Sequence, residues 1–154
     1  EAYVDALAGI GVPLRDELIR DVDWGGTNAA AAIDDILDGT DPPTAVYAHS
    51  DELAFGVLRS LHRRGLRVPE DVSVIGIDDH PLAELTDLTT VRQPVREQGA
   101  IAARLVLDEL DATDTVADGR SAAVTVPTTL VVRATTGPPG EYHAIAAASR
   151  GRQP

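Results

Sequence analysis

The chain has 154 residues, 44% hydrophobic and 25% charged, which sets a single soluble globular domain as the default. No apolar run nears the roughly 20 residues a bilayer span needs, and no signal-peptide pattern opens the sequence. With 25 acids against 13 bases the net charge is −12 and every base is Arg, which argues against this stretch gripping nucleic acid, because phosphate contacts need a basic face. Zero Cys excludes a disulfide framework and thiolate metal sites. Met is absent even at position 1, so the expectation is a processed form or an excised piece of a longer protein.

Taken in chain order, the pattern alternates helix and strand. Residues 3–10 place Tyr3, Leu7 and Ile10 at helical spacing, with Gly9 and Gly11 ending the run. Residues 17–22 predict a strand leading to Trp24. Gly25-Gly26 breaks the chain, Thr27 is a candidate N-cap, and the helix that follows carries Ala32, Ile33, Ile36 and Leu37 before Gly39. Residues 45–48 read as a short buried strand. Residues 51–64 form the clearest helix: Leu53, Ala54, Val57, Leu58 and Leu61 share a stripe of about 140°, and Phe55 lies about 60° outside it. Arg63 and Arg64 suit the negative end of the helix dipole, and Gly65 is the C′ residue. Arg59, Arg63, Arg64 and Arg67 read as a solvated face. Residues 72–77 predict a strand ending at Asp78-Asp79, residues 81–85 a short helix and residues 89–92 an extended segment. Pro94 opens a helix to about Leu110, with Val95, Ala102, Val106 and Leu110 on one face. Residues 112–122 read as a polar loop. Residues 124–126 and 130–133 are strand-like around Pro127, and residues 137–154 read as a tail.

This order favours an α/β lobe with a parallel sheet and right-handed crossovers. Ligands of such sheets sit outside the carboxyl ends of the strands. Trp24, Ser50 and Asp78-Asp79 each follow a strand, so they are expected on one rim. Adjacent carboxylates at Asp78-Asp79 could hold Mg²⁺ or run acid–base chemistry, but one loop supplies too few ligands for a metal. Asp79 is a candidate helix N-cap, and Asp78 a hydrogen-bond acceptor for a polar ligand. His49-Ser50-Asp51 holds the residue types of a hydrolase triad, yet neighbours on a strand end point apart, and no G-x-S-x-G elbow is present. Asp51 reads more simply as an N-cap or first-turn acid. Trp24, the only Trp, is either a core anchor or a stacking platform. Gly25-Gly26 lacks the flanking residues of a phosphate loop.

Across residues 44–93 the motifs become specific as a set: Ser50-Asp51 after a strand, Gly65 through Pro69 to Asp71, Gly76-Ile77-Asp78-Asp79, and Leu88-Thr89-Thr90-Val91-Arg92-Gln93. Together with Leu130-Val131-Val132-Arg133-Ala134-Thr135, they resemble the effector-binding core of the lac/gal repressor (LacI/GalR) family of transcription regulators. The resemblance covers about residues 2–136. It implies a Rossmann-like lobe of the periplasmic-binding-protein-like I fold, with residues 1–136 as the C-terminal lobe and residues 94–122 crossing toward an N-terminal lobe. The helix over 94–110 would belong to that other lobe, and residues 137–154 would be the tail. The resemblance matches Trp24 to a stacking aromatic, Asp78 to the acid that binds ligand hydroxyls and Gln93 to a residue of a hinge strand near the pocket. Ser50 stands where most members have Asn. A further pocket Arg would lie before Glu1. Phe55 matches a side chain buried in the twofold dimer interface.

The function so implied is effector sensing and dimerisation in a cytoplasmic DNA-binding regulator, a repressor by expectation. The effector is a small molecule, expected to be a carbohydrate. DNA contact is expected only through a headpiece outside this chain, with no membrane contact, cofactor, metal or catalysis. The stripe through Val95, Ala102, Val106 and Leu110 is expected to pack on a second copy or fold back on its own lobe. Two alternatives stay open: an extracytoplasmic sugar receptor of the same fold, and an α/β enzyme using Asp78 and Asp79. The upstream sequence separates the first, and a metal-dependent thermal shift lost in Asp78→Asn would favour the second.

Overall fold

The computed structural model describes residues 2–111 and 123–138. Helix α1 (Ala2–Gly9) and a 3₁₀ turn (Asp16–Leu18) lead into α2 (Gly26–Leu37), β1 (Ala45–Tyr47) and α3 (Asp51–Arg63). There follow β2 (Ser73–Asp78), α4 (Pro81–Leu85), β3 (Thr89–Arg92), α5 (Val95–Asp111) and β4 (Thr129–Val131). The four strands form one sheet in the order β1-β2-β3-β4. Strands β1, β2 and β3 are parallel, with Val46 opposite Val74 and Gly76 opposite Thr90, and β4 runs antiparallel to β3, with Leu130 opposite Val91. The mostly parallel α/β architecture is as expected. It sets the carboxyl ends of β1, β2 and β3 side by side.

Local chemistry explains α3, the helix that carries the site's scaffold. The Ser50 hydroxyl caps it by accepting the Leu53 N–H at 3.2 Å, Asp51 and Glu52 occupy the first turn, and His62 and Arg63 the last. Gly65 then turns the chain at φ +70°, a conformation cheap only for glycine. The buried stripe is Ala54, Val57 and Leu61, which meets Ile33 and Leu37 of α2 and Val72, Val74 and Leu88 around the sheet. The two helices cross so closely that a Cβ on Gly56 would lie 2.0 Å from the Gly26 carbonyl oxygen. Only glycine fits there. Phe55, off the stripe by periodicity, is half-buried at the margin of this core and meets His80 edge-on at 5.9 Å.

Several sequence expectations need correction. Residues 17–22 form no strand: a 3₁₀ turn takes Asp16–Leu18, and Arg15 ties the segment to Glu17 and Asp41 instead of to a ladder on β1. Helix α2 begins before Thr27, with Gly25 at the cap and φ +119°. Residues 124–126 pair with no strand, and the last strand is Thr129–Val131, starting after Pro127, which lacks the N–H a ladder needs. Arg64 is not a free solvated cation: it bonds Asp34 and Asp38 and so ties α3 to α2. Arg67 pairs with Asp71 at 2.7 Å. The α5 stripe does not fold back on its own lobe, since Val95, Val106 and Leu110 are all exposed. The loop expected at 112–122 lies outside the described residues, as does the tail beyond Pro138.

Candidate functional site at the carboxyl ends of the strands

Strand β2 ends in a turn that breaks its own backbone preference. Asp78 has φ +125° and Asp79 has φ +56°, left-handed values that cost a non-glycine residue on the order of 1–3 kcal/mol. Each side chain is then held by separate partners. The Asp78 carboxylate accepts from Gln93 Nε2 at 2.8 Å, so the structure brings together two of the four expected ligand residues. The Asp79 carboxylate accepts from Arg133 Nη2 at 2.7 Å and from Arg92 Nε at 2.6 Å. Asp79 therefore does not cap α4; His80 does, with Nδ1 accepting the Leu82 N–H at 3.1 Å. The two carboxylates diverge toward different partners and are not arranged as an acid–base pair.

Trp24 lies 70% exposed. Its indole N–H donates to Glu52 in the first turn of α3, and the rest of the side chain is largely exposed. Ser50 is only 1% exposed, and its oxygen serves the α3 cap, so its part in this rim is to orient the helix that carries Glu52. His49, Ser50 and Asp51 go separate ways. His49 packs on Tyr47 with ring centroids 4.8 Å apart, Ser50 caps α3, and Asp51 is fully buried with its Oδ2 accepting the His80 N–H at 2.8 Å. No hydrolase triad is assembled. Among the described residues no group of three or more His, Asp or Glu side chains is placed to hold a metal ion.

Sequence reasoning missed the residues that brace the rim. Arg133 arrives from beyond β4 and also donates to the Leu88 carbonyl at 2.7 Å. Nothing local in sequence links it to Asp79, 54 residues away. Phe55 stands apart from this set. It borders a groove of about 890 Å³ with Leu58, Arg59, His62, Arg67 and Asp87, lined by none of Trp24, Ser50, Asp78 or Gln93. At the rim itself Trp24 is exposed and Asp78 and Gln93 are half-buried.

Residues 1–136 match the family model of the periplasmic binding protein-like domain. The chain belongs to the periplasmic-binding-protein-like domain family. Its curated relatives there are LacI-type transcription regulators. The HTH-type transcriptional repressor CytR of Escherichia coli K12 is 40% identical over 112 residues, which is 71% of this chain and 33% of the relative. Among solved structures, a transcriptional regulator CelR in complex with cellobiose superposes with a TM-score of 0.78 at 33% identity, covering 86% of this chain and 40% of that one. A LacI family regulator of Enterococcus faecium with bound ribose gives 0.76 at 29% identity, covering 90% and 50%. The chain spans about a third of the length of the curated relatives it matches. No described helix is long and apolar enough to cross a membrane.

The Asp79 carboxyl sits below its usual range, first because Arg133 donates to it and then because Arg92 does. A depressed acid stabilises the fold above the unfolded pKa, near 3.9 for Asp, and that stabilisation fades as pH falls through the lower folded value. Asp79→Asn should therefore unfold more easily in urea at neutral pH. The gap to the parent chain should hold down to about pH 4 and shrink below it. A gap that stays constant through acid would contradict this role for the Arg133 and Arg92 pairing.

Proposed function

We propose that this chain is the effector-sensing and dimerising part of a LacI-type transcriptional regulator, a cytoplasmic repressor, with a small sugar as effector. The observation that carries the reading is Asp78. A carboxylate held at the carboxyl end of a parallel strand, in a left-handed backbone conformation and beside Gln93, is a preformed acceptor for hydroxyls. The open indole face of Trp24 supplies the apolar surface on which the C–H face of a sugar ring stacks. The sugars named with the two structural neighbours fit this chemistry. Residues 1–136 then form one lobe, and α5 carries its exposed apolar face to the N-terminal lobe, which closes the cleft from the other side. DNA contact falls to a headpiece outside this chain. Effector binding shifts the relative angle of the lobes, and with it the spacing of paired headpieces, by differential affinity for two states.

Cellobiose titrated into the chain should change the fluorescence of Trp24, its sole Trp, in a weak but saturable way, because half of the cleft is contributed elsewhere. Asp78→Asn should weaken that binding roughly 10- to 100-fold, the worth of a hydrogen bond to a charged acceptor. Equal binding by the two proteins would remove Asp78 from the site.

The dimer is the second part of the reading. Phe55, Leu58, Arg59 and His62 border one groove, and an aromatic anchor beside Arg is the usual composition of a hot spot. Phe55→Ala should raise the dimer dissociation constant by about tenfold or more, read by sedimentation over a dilution series. An unchanged series would reject Phe55 as an interface residue.

A further inference from the structure

Asp51 is a fully buried carboxylate that the proposed binding chemistry does not use. Burying an ionised group is expensive unless every acceptor site is answered, so what answers it shows what it is for. Its Oδ2 takes the His80 backbone N–H at 2.8 Å, and its Oδ1 takes the Thr90 hydroxyl at 2.6 Å. The Thr90 oxygen in turn accepts the Asp79 backbone N–H at 3.3 Å. The carboxylate occupies space that no side chain on β2 can share: a Cβ on Gly76 would lie 2.2 Å from Asp51 Oδ1. One buried group thus holds two consecutive amides, those of Asp79 and His80, immediately after Asp78. These amides follow the left-handed Asp78 and flank the left-handed Asp79, a strained pair that persists only where surrounding contacts over-determine it.

We infer that Asp51 is a positioning residue of the effector site: through Thr90 and the His80 amide it locks the Asp78-Asp79 turn, and so holds the Asp78 carboxylate against Gln93 before any ligand arrives. This rests on the reading of Asp78 as the effector's acceptor. Asp51 itself, buried behind the turn, touches no ligand. Pre-organising the acceptor in this way removes an ordering cost from binding. It also gives a reason for an acid at this position beyond the helix dipole of α3.

The test needs no ligand, so its failure is separable from failure of the binding reading, which the cellobiose titration of Asp78→Asn decides alone. Amide hydrogen exchange and side-chain NMR signals are compared on the whole chain for Asp51→Asn, Thr90→Val and Thr90→Ser. Asp51→Asn replaces one acceptor oxygen with a donor. It should speed exchange at the His80 amide by about tenfold or more and shift the Gln93 side-chain amide resonances, with the amides of Val57, Leu61 and Val74 unchanged. Thr90→Val, which keeps the shape and removes the hydroxyl, should speed exchange at the Asp79 amide and move Gln93 in the same direction. Thr90→Ser should restore the parent values. Should Asp51→Asn not fold, the Thr90 pair decides. Parent-like Gln93 signals and parent-like protection at Asp79 and His80 in Thr90→Val would overturn the inference. So would a loss spread evenly over the core amides, or one that Thr90→Ser fails to rescue.

Discussion

The Asp78-Asp79 turn runs against its own backbone preference, and the rest of the rim is built to hold it there. Two consecutive non-glycine residues with positive φ do not persist without bracing. The bracing comes from three directions. Asp51 and Thr90 hold the amides from beneath, Arg92 and Arg133 hold the Asp79 carboxylate from the side, and Gln93 meets the Asp78 carboxylate. What results is a carboxylate presented outward from the end of a parallel strand, with the polar groups behind it already satisfied.

The scaffold beneath is economical in the same sense. The close crossing of α2 and α3 at Gly26 and Gly56 lets α3 lie directly over β2. That approach places Ser50 and Asp51, at the start of α3, against the ends of β2 and β3. The helix that orients Trp24 through Glu52 is therefore the helix that delivers the buried acid to the Asp78 turn. A shift of α3 would disturb Trp24 and the Asp78 turn together.

Much of this was legible in the sequence, for physical reasons that differ by element. The helical stripe of α3 and the alternating strand 73–78 follow from periodicity, because burial enforces it, whereas the strand at 45–47, expected to be buried, has Ala45 and Tyr47 exposed. Asp78 was marked as a candidate by the rule that chemistry gathers at the carboxyl ends of parallel strands, and Gln93 by the family resemblance, whereas Trp24 follows no strand, because the one expected over 17–22 does not form. The expected strand over 17–22 was not realised: a 3₁₀ turn takes Asp16–Leu18, and Arg15 pairs with Glu17 beside it and with Asp41 across the fold. The pairings of Arg133 with Asp79 and of Arg64 with Asp34 and Asp38 were invisible because they join residues distant in sequence. The role of Asp51 was hidden behind a sufficient local explanation, the acidic first turn of a helix. Only its burial and its partners show the wider one. The α5 stripe was expected to pack on a second copy or to fold back on its own lobe, and only the second alternative is excluded by its exposure, because periodicity reports a face and not its partner.

On this reading the rim of Trp24, Asp78 and Gln93 is one wall of a sugar site. Crystals of the chain grown or soaked in cellobiose test it most directly. The expected density is a ring stacked on the Trp24 indole with a hydroxyl hydrogen-bonded to the Asp78 carboxylate. Sugar density that avoids both residues, with Asp78 bound only to Gln93, would contradict it.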